Sequence, residues 1–235
     1  MNALFGEFMK AKISFKLEKH EILILLFSVI AVIISYALGE TKAVMNLAAS
    51  LVGVVALIYV AKGYVIGQLL CIVFAVLYGI VSYRFAYYGE MITYLCMSAP
   101  TALFSLISWV RNPYKESAEV KVASLNTRKV TLLLLVTTAV TVAFWFILGA
   151  LDTANLLVST FSVATSFIAA SLTVLRSPYY AIGYLANDFV LIILWSLAAL
   201  KDPSSIPMII CFVAFLVNDG YGFINWKRMQ KRQSA

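Results

Sequence analysis

The chain has 235 residues, of which 63% are hydrophobic and only 12% charged, and its mean hydropathy is +0.93. Soluble domains carry roughly 25% charged residues, so a soluble globular domain is excluded and a polytopic membrane protein is indicated. The formal charge of +7 sits at the ends of apolar runs, which points to membrane orientation and away from nucleic acid.

The first stretch, residues 1–20, reads "MNALFGEFMKAKISFKLEKH". It mixes apolar residues with lysines and predicts an interfacial segment. The stretch "KISFKLEKHE" before the first apolar run and the lack of a small-residue cleavage site argue against a removed signal peptide. An extra span follows at 21–39. Spans at 43–61, 64–83 and 86–110 then form a first triple-helix bundle, 43–110. Pro100 predicts a kink in the last of these. A linking span covers 130–150. Spans at 154–175, 178–200 and 205–226 make a second bundle, 154–226, and a basic tail occupies 227–235. The turns at 62–63 and 176–177 are so short that their flanking helices are antiparallel hairpins. Cys71, Cys96 and Cys211 all lie in apolar runs, so neither a disulfide framework nor a metal cluster is expected. Trp109 and Trp226, beside basic residues, read as interfacial anchors, and His20 as a solvated residue near the lysines.

With both termini on the cytoplasmic side, 15 of the 18 Lys and Arg residues fall inside and only Lys42, Arg84 and Lys201 outside. This bias predicts a plasma-membrane protein with cytoplasmic N- and C-termini and an even number of spans. A weak internal repeat accompanies it. "YVIGQLLC" at 64–71 resembles "YAIGYLAN" at 180–187, and "SLISWVR" at 105–111 resembles "YGFINWKR" at 221–228. The predicted fold is therefore all-α, with eight transmembrane helices. One extra helix precedes a 3+1+3 core of two parallel triple-helix repeats, an arrangement of the SWEET kind with substrate at the midplane between repeats.

Polar residues inside spans locate the candidate site. A carboxylate at the bilayer centre costs at least about 2.5 kcal/mol, so Asp188 and Asp219 must face protein or water. Helical spacing puts Tyr180, Tyr184, Asn187, Asp188, Leu191 and Trp195 on one face. Asn218 and Asp219 share a face with Phe212 and Phe215. Gln68 and Cys71 occupy the counterpart face in the first repeat. Tyr94, Ser98, Thr101 and Ser105 line the fourth span, and Asn155, Ser159, Ser162, Thr165 and Ser166 the sixth. Tyrosine faces stack on flat rings, carboxamides and carboxyls read ring edges and hydroxyls, and Gly183 leaves room for a ring to approach. The candidate binding residues are Tyr180, Gly183, Tyr184, Asn187, Asp188, Asn218, Asp219, Gln68 and Tyr94. The spans contain no His/Asp metal motif and no nucleophile beside a base, so an enzyme is not indicated, and no cofactor is expected.

The span pattern, the 3+1+3 core and the tail "GFINWKRMQKR" resemble the Pnu transporters over residues 43–232. The nicotinamide riboside members of that family carry Trp-x-x-Trp-x-x-x-Asn/Asp on the core's sixth helix. Here the matching positions read Tyr180-x-x-Gly183-x-x-x-Asn187. That variant resembles the PnuN branch, which is associated with deoxyribonucleosides. Tyr and Gly make a less electron-rich slot than two tryptophans, which are the best partners for a cationic ring. The resemblance implies facilitated diffusion of a small molecule, most simply a deoxyribonucleoside, with trapping by a cytoplasmic kinase and assembly as a homotrimer in the bilayer. It implies that Tyr180 stacks on the base, Asn187 bonds its polar edge, and Asn218, Asp219 or Asp188 bonds the sugar. Nicotinamide riboside is the alternative substrate, thiamine a further one, and Asp188 or Asp219 could instead carry a coupling proton.

Overall fold

The structure, a computed structural model, describes residues 14–38, 44–84, 87–153, 155–201, 203 and 206–235. Among these residues eight helices are long and apolar enough to cross a membrane. They are α1 (Lys19–Leu38), α2 (Val44–Ala61), α3 (Val65–Arg84), α4 (Tyr88–Val110), α5 (Thr127–Ala150), α6 (Leu156–Val174), α7 (Tyr180–Ala199) and α8 (Ile206–Ser234). Of the predicted interfacial segment, residues 1–13 lie outside the described residues, and 14–18 are not helical.

Helix α4 is irregular. Its middle, Thr93–Ser98, is a π-helical turn between the α-helical pieces Tyr88–Ile92 and Ala99–Val110. In a regular helix the Pro100 ring would clash with the carbonyl of Cys96, and the wider turn absorbs that conflict. The expected kink is thus a bulge placed one turn before the proline.

Helix α8 departs further from expectation. It continues through the predicted tail to Ser234. Gln233 accepts from the Val122 amide at 2.7 Å and donates to the Val120 carbonyl at 3.1 Å. Arg232 pairs with Glu119. The loop 111–126 that receives these contacts also reaches both hairpin turns. Val120 N donates to Gly63 O, and Ala123 N donates to Arg176 O, each at 2.9 Å. Gly63 and Arg176 hold matching positions in the two turns, and both have positive φ, 69° and 57°.

Association of helices in lipid depends on close packing and buried hydrogen bonds, since lipid tails are as apolar as leucine. Helix α2 packs on α3 and α8, α4 on α3 and α6, and α7 on α6 and α8. The first helix of each predicted bundle therefore touches the third helix of the other. Trp109 and Trp226 sit at these two crossings. Both are fully buried. Trp109 Nε1 donates to Thr173 O on α6 at 3.1 Å, and Trp226 Nε1 donates to Val60 O on α2 at 2.9 Å. Their rings meet 5.4 Å apart. The reading of these tryptophans as interfacial anchors is corrected: each satisfies its indole N–H across a bundle boundary inside the protein. Helix α5 contacts α6 and leaves most of its length exposed.

Helix α1 turns Glu21, Ser28 and Val32 inward, spaced to share one face, and packs on α2 and α8. Glu21 is buried with Lys62 from the α2–α3 turn, whose Nζ lies 2.7 and 2.6 Å from the two carboxylate oxygens. Tyr221 on α8 donates to Glu21 at 2.7 Å, and the exposed His20 ring lies 3.2 Å from the same hydroxyl. The sequence reading counted Lys62 among the charges on the cytoplasmic side; the structure buries it in an ion pair with Glu21.

Candidate functional site

A single helix contributes little to a cavity; here six helices converge on one. It is lined by Leu57 and Val60 on α2, Gln68, Cys71 and Phe74 on α3, and Tyr94, Ser98, Thr101 and Ser105 on α4. Helices α6 to α8 add Ser166 and Thr173, then Tyr184, Asn187 and Asp188, and finally Phe212, Phe215 and Asp219. The volume open to the centre of a water molecule is about 80 Å³. That is room for roughly half a dozen waters, or for a flat ring that displaces them.

One wall is aromatic. Phe74 packs edge-on against Tyr94 and Phe215 at centroid distances of 5.9 and 5.4 Å, and Tyr94 lies 4.1 Å from Tyr78. Tyr78 is itself fixed by a 2.8 Å hydrogen bond from Trp195 Nε1. The π turn of α4 carries Tyr94 into this wall.

The facing wall is polar. Asn187 Oδ1 accepts from both Thr165 and Ser166 on α6, at 2.9 and 2.8 Å. These bonds fix the amide with its carbonyl toward α6 and leave Nδ2 as a donor for the cavity. Asp188 and Asp219, at 2% and 3% exposure, both line the cavity. Asp188 Oδ2 has no partner among the described residues. Gln68, 2% exposed, makes no side-chain hydrogen bond among them either. No Lys or Arg lines the cavity.

Of the nine predicted binding residues, Tyr184, Asn187, Asp188, Asp219, Gln68 and Tyr94 line this cavity. Tyr180, Gly183 and Asn218 do not. Tyr180 is fully buried one turn below, packed against Trp226 at 4.9 Å, so its ring has no face free for stacking. Asn218 turns the other way, donating to Ser28 on α1 at 3.0 Å and to Ala214 O at 2.8 Å. Gly183 leaves room for a helix and not for a ring: a Cβ there would meet Ala169 Cα at 2.8 Å. Gly183→Ala is accordingly expected to destabilise the protein by about 1–3 kcal/mol through forced separation of α6 and α7, measurable by thermal unfolding in detergent.

Sequence reasoning missed Glu90. This carboxyl is 2% exposed near the start of α4 and faces Ser162 on α6 and the hydroxyls of Tyr78 and Tyr94. Its place near a span's edge kept it out of the candidate set. The aromatic Phe74, Phe212 and Phe215 were also outside the candidate set, although Phe212 and Phe215 share the face of Asp219.

Eight apolar helices, six of them around a cavity with an aromatic wall and a polar wall, fit a membrane transporter of a small molecule. A family model described as nicotinamide mononucleotide transporter matches residues 43–228. The chain belongs to that family, whose members are PnuC-like transporters. The nicotinamide riboside transporter PnuC of Neisseria mucosa is 28% identical over 192 residues, which are 80% of this chain and 73% of that protein. The crystal structure of the vitamin B3 transporter PnuC shares the fold, with a TM-score of 0.82 at 24% identity over 99% of both chains. The expectation of deoxyribonucleoside uptake finds no support in these similarities. They favour the alternative substrate, nicotinamide riboside. Positions 180 and 183, where the two-tryptophan motif is replaced, do not line the cavity.

Proposed function

We propose that the protein takes up nicotinamide riboside across the plasma membrane by facilitated diffusion. The observation that carries the reading is the Asp188–Asp219 pair in a cavity whose lining holds no Lys or Arg. A pyridinium ring is a flat monocation. Carboxyls attract its charge, the Phe74, Tyr94 and Phe215 rings pack on its faces, and the Asn187 amide can donate to its carboxamide oxygen. The family membership and the name of the Neisseria relative support the same substrate.

The cavity also separates the riboside from the mononucleotide. A phosphate would bring up to two negative charges into a cavity with no cationic side chain to receive them, and a buried charge left unpaired costs several kcal/mol. Nicotinamide mononucleotide is expected to bind more than tenfold more weakly than the riboside. Calorimetry on the purified protein checks this in a panel with thymidine and thiamine. Preference for thymidine, or equal binding of riboside and mononucleotide, sinks the reading.

Transport in this proposal alternates access by rocking of the α2–α4 bundle against the α6–α8 bundle. The reciprocal contacts of Trp109 with α6 and Trp226 with α2 support that division. The distribution of 15 of 18 basic residues supports cytoplasmic termini. A homotrimer in the bilayer and a cytoplasmic kinase that traps the product belong to the same proposal and rest on the family resemblance. Uptake into liposomes without any ion gradient tests the mechanism; accumulation that requires a proton or sodium gradient overturns it.

A further inference from the structure

The geometry points to a gate at the basic rim, with Ser108–Trp109 on α4 and Asn225–Trp226 on α8 as its two matched halves. The gate rests on the proposed rocking of the two bundles and is independent of which molecule is carried.

The carbonyls that end a helix have accepting capacity left over where the regular ladder stops. At the ends of α2 and α6 the opposite bundle uses it. Trp226 Nε1 donates to Val60 O at 2.9 Å, and Asn225 Nδ2 donates to Ala61 O at 2.8 Å. In the matching place Trp109 Nε1 donates to Thr173 O at 3.1 Å, and the Ser108 hydroxyl donates to Val174 O at 2.9 Å. Each half is a tryptophan with the polar residue before it, and each takes two successive carbonyls. The loop 111–126 takes one more carbonyl on each side, from Gly63 and Arg176.

These bonds lie at the edge of the cavity, because Val60 and Thr173 line it. Toward the rim the two indoles meet 5.4 Å apart, and the Tyr180 ring packs on Trp226 at 4.9 Å. All three rings are fully buried. Tilting the bundles apart on this side strips both helix ends of their donors together and leaves two indole N–H groups without acceptors. An unmade buried hydrogen bond costs more than a made one gains. Helices α3 and α7 run from this rim to the opposite end of the cavity. There Trp195 Nε1 donates to the Tyr78 hydroxyl at 2.8 Å, a bond between two side chains that a rotamer change can break.

Cys71 lines the cavity and reports on access to it. With Cys96→Ser and Cys211→Ala it is the sole thiol. Its labelling by a membrane-impermeant quaternary-ammonium methanethiosulfonate is followed in membrane vesicles of each orientation. Trp109→Phe and Trp226→Phe keep a ring and lose the indole N–H. Each is expected to speed labelling from the face carrying the basic tail by about 3- to 10-fold, the effect of one buried hydrogen bond. The double variant is expected to exceed either single severalfold, because both halves must part for the rim to open. Labelling of all three from the other face stays at the wild-type rate, whereas Trp195→Phe speeds it there alone. Ser108→Ala acts in the same direction as Trp109→Phe, so the test survives a tryptophan variant that fails to fold. Unchanged labelling from the tail face, equal acceleration from both faces, or a double variant no faster than the singles overturns the gate. Uptake of nicotinamide riboside by wild-type vesicles is read separately; its absence counts against the substrate and not against the gate.

Discussion

Asn187→Ala is expected to weaken nicotinamide riboside binding by about 30- to 150-fold, equivalent to about 2–3 kcal/mol. The side chain does two jobs in the structure. Its carbonyl accepts from Thr165 and Ser166, which ties α7 to α6, and those bonds leave its amide nitrogen unused at the cavity lining. Alanine removes both. It leaves two buried hydroxyls without their acceptor and the ligand without a donor, and an unmade buried hydrogen bond costs more than a made one gains. Asn187→Asp separates the two jobs. A carboxylate still accepts from both hydroxyls but cannot donate. If Asn187 only fastens the two helices, the Asp variant binds like wild type. If it reads the ligand, both variants lose affinity in calorimetry, and only the Ala variant also loses thermal stability.

The second large effect concerns the buried pair of Lys62, in the α2–α3 turn, with Glu21 on α1. Lys62→Met alone is expected to destabilise the protein by about 3–5 kcal/mol, because it leaves Glu21 as an uncompensated charge against Tyr221. Glu21→Leu combined with Lys62→Met is expected to restore most of that loss, since replacing a buried pair by apolar groups is often neutral. Denaturant unfolding of the two single variants and the double variant in detergent measures the coupling. A double variant as unstable as the sum of the singles would show that the pair contributes through packing and not through charge.

Much of this architecture was legible because bilayer thickness sets the length of an apolar run. Six of the eight predicted spans agree with the helices to within two residues at both ends. The two exceptions have physical causes. Helix α8 outruns its apolar stretch because Gln233 and Arg232 find partners on the 111–126 loop, which span prediction does not consider. Helix α5 starts at Thr127 because the Asn126 side chain caps it, accepting from Lys129 N at 2.9 Å. Helical spacing also recovered faces. Tyr94, Ser98, Thr101 and Ser105 share one, and all four line the cavity.

Spacing could not say how far along a face the cavity extends. Tyr180, Tyr184, Asn187 and Asp188 occupy one side of α7, but only the last three reach open space, because Trp226 fills the volume beside Tyr180. It also could not say which neighbour a face meets. Asn218 and Asp219 are adjacent in sequence, yet the first bonds α1 and the second borders the cavity. Trp226 next to Lys227 and Arg228 has the composition of a lipid anchor. Its indole bond to Val60 depends on a helix more than 160 residues away, and no local pattern carries that information.

The strap formed by residues 111–126 has a mechanical consequence. It is fastened to the carbonyl of each hairpin turn and to the far end of the last helix, so it stitches both halves of the molecule together along one rim. Parting the halves there would have to break these bonds together and not one by one. Any motion that widened the molecule along that rim would therefore load the strap at both turns and at the end of α8 together.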